Sequence, residues 1–288
     1  MQSIGFIGVG AMGRGVCSCI VQKGYKMTVF DSNNAAKENF RGKADLAENF
    51  MDVFKTSEVI FLSLPSSKEV EMMTDEFLKA GVSGKTVVDL STSYPFSTRI
   101  IYGKFKSAGG NFVDAPLNGS PADGENGTFT SIVGGDKEVC EKLKPLFMSF
   151  CKRYDYVGAS GNGHIVKLAV NYLGLSYVAL LAQLFPLMEK MGMDIPYLDK
   201  VLRDEPALFN GCYDFYVPKI LDRSYEQAFA LDLALKDLIY MQKMFNENGS
   251  PGFALDGVID LLRTGVKDGR GSRDYSECAA TMREFLKI

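Results

Sequence analysis

The residues best placed to do chemistry in this chain are a lysine and an asparagine one helical turn apart. Gly163, Lys167, Asn171 and Gly174 recur at steps of four, four and three, among Val166, Leu168, Ala169, Val170, Leu173 and Leu175. Residues three and four apart share a helix face. Lys167 and Asn171 therefore point the same way, and the two glycines are expected to leave space for a ligand. An ammonium in an apolar setting is a candidate acid/base, because desolvation favours its neutral form. Lys167 could give a proton to a carbonyl oxygen or take one from a hydroxyl, and Asn171 could hold the same oxygen or orient the lysine. The competing reading is a lysine that snorkels to water and an asparagine bonded to its own backbone.

A second group of residues sits at the N-terminal end. Gly8-Val9-Gly10-Ala11-Met12-Gly13 matches G-x-G-x-x-G between a strand-like run at 4–7 and a helical pattern reaching about Lys23. In such a turn Gly8 permits the tight bend, Gly10 lets a pyrophosphate approach the backbone, and Gly13 lets helix and strand pack closely. The helix start then faces the phosphates with the positive end of its dipole. Asp31 lies 18 residues beyond Gly13, at the end of the next strand. An acid there would bond the adenine-ribose diol and repel a 2′-phosphate. Ser32, Asn33 and Asn34 follow, with no Arg or Lys among them, so NAD is favoured over NADP as cofactor. Leu64-Pro65 and Ser91-Thr92 also lie at strand ends, where ligands bind in such sheets. Leu64, Pro65 and Thr92 are candidate cofactor contacts, with plain turn chemistry as the alternative. Lysine stripe and glycine turn together suggest hydride transfer to or from a small hydroxy acid.

Three further places in the chain offer candidate groups. Asn118-Gly119-Ser120 follows the strand at 111–114, and a glycine turn there could offer backbone N–H groups to a carboxylate; an ordinary loop explains it as well. Lys236-Asp237 lies on a helix whose apolar face is Leu231, Leu235, Leu238 and Phe245. Asp232, four residues earlier, makes a surface ion pair the simpler reading of Lys236. His164, the only histidine, has no identifiable carboxylate partner and reads as a helix-start residue. The six cysteines form no C-x-x-C pair, so a metal site is not expected. They read as reduced thiols.

A 288-residue chain, 46% apolar and 23% charged, accommodates one large domain or two medium ones. A net charge of −3 gives no general case for nucleic acid or an anionic membrane. No signal peptide is visible ahead of Ser3, so a cytoplasmic location is expected. The uncharged stretch 168–188 is long enough to span a bilayer, but Asn171, Gln183 and Pro186 favour a core helix. Short strands at 4–7, 27–30, 58–62, 85–89 and 111–114 alternate with helical patterns, which argues for a parallel, doubly wound sheet. Edge strands are expected at 128–133 and 153–157. Beyond Gly163 only helices follow, at about 164–191, 197–202, 218–221, 231–246, 252–264 and 275–286. The expected division is 1–162, nucleotide-binding, and 163–288, helical.

These motifs, in this order, resemble the β-hydroxyacid dehydrogenase family, which includes 3-hydroxyisobutyrate dehydrogenases and semialdehyde reductases. The resemblance rests on residues 5–13, Leu64-Pro65, residues 89–92, residues 114–120, Gly127-Thr128, residues 133–135, Gly161-Asn162-Gly163 with Lys167 and Asn171, and Lys236-Asp237-Leu238. It implies a Rossmann-like N-terminal domain, an all-α C-terminal domain joined by a long helix, and an active site in the cleft between them. It implies Lys167 as catalytic lysine with Asn171 as partner, Asn118, Gly119 and Ser120 as substrate carboxylate anchor, and Thr92 and Lys236 lining the cofactor and substrate site. A homodimer or homotetramer is implied as well. Asn118-Gly119-Ser120 departs from the common Ser-Gly-Gly anchor, and Val170 replaces the first of two asparagines. Both departures bear on substrate choice, leaving a sulfonate aldehyde, a C=N substrate or a non-catalytic NAD-binding scaffold as alternatives.

Overall fold

In the computed structural model, which describes residues 3–288, the chain divides into two compact units. The first ends at Lys167 and the second is Leu168–Ile288. Residues 1–2 of the expected first domain lie outside the described residues. The division falls inside a helix rather than at residue 162, because the first turn of that helix is hydrogen-bonded into the first unit.

Unit 1 alternates strands and helices: β1 (Ile4–Ile7), α1 (Ala11–Gln22), β2 (Met27–Phe30), α2 (Asn34–Glu38), β3 (Asp45–Leu46), α3 (Phe50–Thr56), β4 (Val59–Leu62), α4 (Ser67–Ala80), β5 (Thr86–Asp89), α5 (Pro95–Ser107), β6 (Asn111–Asp114), β7 (Leu117–Asn118), α6 (Pro121–Asn126), β8 (Phe129–Gly134), α7 (Lys137–Phe147) and β9 (Cys151–Gly158). The order β3-β2-β1-β4-β5-β6 is all parallel and doubly wound. Side chains alternate between the two faces. Phe6, Phe61, Val88 and Val113 enter one core, and Ile60, Leu62, Val87 and Phe112 enter the other. The strands are buried on both faces, which is why they read as continuous apolar runs.

Of the two late strands, β9 lies at an edge as expected, pairing only with β8 among the described residues, whereas β8 differs. β8 is antiparallel to β6 and β7 and parallel to β9, so it is an internal strand, buried along its whole length. The short link through β7 and α6 brings the chain back antiparallel, where a crossover helix would have kept it parallel.

Register aligns the strand ends. Ile7 pairs with Phe30 and Leu62, Leu62 with Asp89, and Asp89 with Asp114. The loops after these residues therefore leave the sheet along one line, the edge at which doubly wound sheets bind ligands.

The helix α8 (Asn162–Lys190) carries the chain into unit 2, which adds α9 (Ile195–Arg203), α10 (Gly211–Leu221), α11 (Leu231–Glu247), α12 (Phe253–Gly265) and α13 (Cys278–Leu286). Its core joins Leu175, Val178, Ala182 and Phe185 of α8 to residues of α10, α11 and α12. The helix α10 starts seven residues before the expected 218, because Asn210 caps it by accepting from the Cys212 and Tyr213 amides. Pro218 lies inside it, not at its start.

Candidate functional site

The glycine turn after β1 has the geometry its sequence implies. Gly8 has φ +93°, and a Cβ there would lie 2.2 Å from the Ser63 carbonyl oxygen. A Cβ on Gly13 would lie 2.0 Å from the Gly8 carbonyl oxygen. Only glycine fits either place. At Gly10 a Cβ would meet nothing within 4 Å. The turn is therefore open at the residue where a pyrophosphate must approach, and the first-turn amides of α1, at Ala11 and Met12, have no intrahelical acceptor. Asp31 braces the turn: its carboxylate accepts from the Val9 amide and the Asn33 amide, each at 2.7 Å. Lys37, the nearest following lysine, is buried and donates to the Ala47 carbonyl at 3.0 Å. Arg41 forms a fork with Glu38.

Leu64 and Pro65 follow β4, and the Leu64 amide donates to Ser91 Oγ at 2.9 Å. Thr92 is half-buried beside Ser91. The loops after β4 and β5 are thus bonded to each other.

Lys167 and Asn118 come together within unit 1. Lys167 Nζ donates to Asn118 Oδ1 at 2.9 Å, and both residues are half-buried. Because the ammonium only donates, the amide oxygen faces the lysine and the amide NH₂ points away from it.

Gly119 and Ser120 differ from the expected anchor. Ser120 is the N-cap of α6, and both its amide and its hydroxyl donate to Asp123 Oδ2, at 2.8 and 2.9 Å. Thr128 Oγ1 donates to the other oxygen at 2.9 Å. Burial raises the Asp123 pKa, but these bonds outweigh it and hold the carboxylate below its usual range. An internal carboxylate thus engages the Ser120 donors that the sequence reading offered to a substrate.

Gly163, beside Lys167, also differs from expectation. A Cβ on Gly163 would lie 2.6 Å from the Ile132 carbonyl oxygen and 2.8 Å from Asp114 Oδ2. Gly163 therefore permits close packing against the strands and opens no ligand space. A Cβ on Gly174 would lie an ordinary 3.7 Å from Cys212 Sγ, so the space there is less restricted.

Within unit 2, Asn171 Nδ2 donates to Asp237 Oδ2 at 2.6 Å, and Lys236 Nζ lies 3.3 Å from Asp237 Oδ1. Asp237 is buried and Lys236 half-buried, over the Tyr240 ring. The motif reasoning from sequence gives Asp237 no role of its own. Its signal was an acid next to Lys236 on the apolar side of α11. A carboxylate only accepts, so Asn171 turns its nitrogen to Asp237 and presents its oxygen elsewhere.

His164 has carboxylates near it, contrary to expectation: Asp89 Oδ2 lies 3.7 Å from Nε2, and Asp114 Oδ2 accepts from the His164 amide at 3.3 Å. Burial raises the thiols of Cys140, Cys151 and Cys278 to about 12, which does not suit a nucleophile.

Residues 3–158 match the model for the NAD-binding domain of 6-phosphogluconate dehydrogenase, and residues 161–282 the one for NADP-dependent 3-hydroxyisobutyrate dehydrogenase. The chain is 31% identical over 278 residues to 2-(hydroxymethyl)glutarate dehydrogenase of Eubacterium barkeri, covering 95% of this chain and 92% of that one. It is 30% identical over 288 residues to 3-sulfolactaldehyde reductase of Escherichia coli, covering 98% and 92%. The structure of Mycobacterium tuberculosis 3-hydroxyisobutyrate dehydrogenase with L-serine superposes with a TM-score of 0.89 at 21% identity, covering 98% and 99%, a likeness of fold.

Proposed function

The chain belongs to the β-hydroxyacid dehydrogenase family and is an NAD(P)-dependent oxidoreductase of hydroxy acids; from that premise we propose that it interconverts a short β- or γ-hydroxy acid and its semialdehyde or keto form, with Lys167 as general acid/base. The observation that carries this reading is the 2.9 Å contact between Lys167 Nζ and Asn118 Oδ1, which fixes an ammonium beside the turn that joins β7 to α6.

A nicotinamide dinucleotide supplies the hydride donor or acceptor when bound. Residues 8–13 would hold its pyrophosphate, Asp31 its adenine ribose, and Leu64, Pro65 and Thr92 its other half. Lys167 gives its proton to the carbonyl oxygen in reduction and takes the hydroxyl proton in oxidation. The amide NH₂ of Asn118 is a donor for the substrate's acid group. On the substrate side we also place Asn171, which offers an acceptor to a hydroxyl because Asp237 holds its nitrogen, and Lys236. Gly119 contributes a bend packed against Phe129 and Asp123, and Ser120 a rigid cap, more than free donors. Asp31, together with the engagement of Lys37 by a backbone carbonyl, supports NAD over NADP.

Lys167→Ala tests the assignment. A general acid/base contributes about 10²- to 10⁴-fold, so kcat should fall by that order while dinucleotide affinity, read by NADH fluorescence, stays unchanged. Full turnover by the variant would overturn the mechanism. The wild type should be run against small semialdehydes, glyoxylate and a sulfonate aldehyde with both NADH and NADPH. A preference for the sulfonate would move the substrate class, and binding without any turnover would leave a scaffold.

We also propose that unit 2 pairs with a second copy of the chain. α8 is long and apolar enough to cross a membrane, yet Leu175, Val178, Ala179, Leu181, Ala182 and Phe185 are buried in the unit 2 core. Leu173, Leu180 and Leu187 remain exposed at steps of seven, a spacing that suits a two-fold related helix. Leu180→Glu should shift the chain to monomer by light scattering without detergent; an unchanged mass would remove this face from the contact. The six free cysteines support a reducing, cytoplasmic setting.

A further inference from the structure

We propose that His164 is a positioning residue for the nicotinamide-side loops, joining them to the helix that carries Lys167. The inference rests on the dinucleotide reading above. His164 has no exposed surface and lies in the first turn of α8, three residues before Lys167. Its Nε2 is 3.1 Å from the Ser91 carbonyl oxygen. A carbonyl only accepts, so Nε2 carries a proton and donates. Its Nδ1 is 2.8 Å from Thr98 Oγ1 on α5.

From Ser91 the bonds run on in two directions. Ser91 Oγ accepts from the Leu64 amide at 2.9 Å, which reaches the loop after β4. The Ser91 amide donates to Asp89 Oδ1 at 2.9 Å, and Ser93 Oγ donates to Asp89 Oδ2 at 2.7 Å. A single imidazole thus fixes the loops after β4 and β5 through Ser91. The backbone around His164 is fixed in turn. Asp114 accepts from the Gly161 amide at 2.8 Å, from Ser160 Oγ at 3.1 Å and from the His164 amide. Asp89, Asp114, Ser93 and Thr98 are all buried, and buried polar networks hold one arrangement only when every member is satisfied.

The placement is selective. A doubly wound sheet binds a dinucleotide as two mononucleotide halves on either side of β1. The β1–β2 side is braced by Asp31, and no bond of that brace passes through His164. The β4–β5 side is braced by His164. Removing the imidazole should therefore weaken the half of the ligand that reacts and spare the adenosine half.

The test compares NADH with ADP-ribose, which lacks the nicotinamide, by calorimetry on the full-length protein. His164→Leu should raise the NADH Kd about tenfold, the scale of one lost buried hydrogen bond, and leave ADP-ribose within about twofold. His164→Gln keeps a donor and an acceptor and should restore most of the difference. Thr98→Val, nearly isosteric, should give a smaller loss of the same selectivity if the leucine variant does not fold. Because His164 is the only histidine, its ¹⁵N imidazole resonances should shift with NADH and stay put with ADP-ribose. Equal weakening of both ligands, or none for NADH, overturns the assignment. A wild type that binds neither ligand overturns the dinucleotide reading and this inference with it.

Discussion

The turn at 8–13 and the turn at 118–120 each join a strand to a helix, and each holds a glycine at positive φ, +93° at Gly8 and +136° at Gly119. Their chemistry diverges because of where the neighbouring carboxylate sits. At the first turn Asp31 lies just past the next strand and takes the Val9 amide, so the start of α1 stays open at Gly10. At the second turn Asp123 lies inside the helix it caps and takes both donors of Ser120. Glycine spacing thus identifies a bend, and the nearest acid decides whether the bend remains a cradle. The two turns are also mechanically joined. α1 and α6 cross where a Cβ on Gly15 would lie 2.6 Å from Gly124 Cα, an approach only glycines allow.

The sharpest way to break this comparison is inside the first turn. Gly13→Ala forces a Cβ against a backbone carbonyl and should cost several kcal/mol, about the size of a severe overpacking mutation. A shifted denaturation midpoint would register it. Gly10→Val should leave that midpoint within about 0.5 kcal/mol, as surface changes do, and yet abolish measurable dinucleotide binding. If both variants lose stability alike, Gly10 is structural and the cradle reading fails.

The second turn should respond more weakly. Asp123→Asn removes the ionised acceptor of the Ser120 cap and should cost about 1 kcal/mol. The native pKa of Asp123 is lowered, so its stabilisation is complete above the unfolded value of about 3.9 and is lost as pH falls through the lower native value. The gap between wild type and variant in thermal melts should be widest near neutrality and shrink below about pH 4. A gap that is constant with pH would mean that the carboxylate charge plays no part in the cap.

Much of this was legible in the sequence, and the failures have physical reasons. The strands of the parallel sheet are four-residue apolar runs between turn signals, and the glycine turn carries its own steric logic. β3 and β7, two residues each, are too short to show any alternation. The direction of β8 depends on a connection length that hydrophobic pattern does not encode. Gly163 looked like ligand space because its neighbours across the fold, Ile132 and Asp114, are 31 and 49 residues away. His164 looked unpartnered for the same reason: Asp89 and Ser91 are more than seventy residues earlier. Local patterns specify faces and bends, whereas the partner of a buried polar group is a property of the closed fold.

Asp114 carries a consequence for anyone dissecting this protein. Among the described residues, its buried side chain accepts from Ser160, Gly161 and His164, all beyond the last strand. A nucleotide-binding fragment trimmed at the end of β9 would leave a buried carboxyl group without these partners, so the smallest self-sufficient piece must include the opening turns of α8. On the ribosome, likewise, the sheet edge is finished only once those turns have emerged.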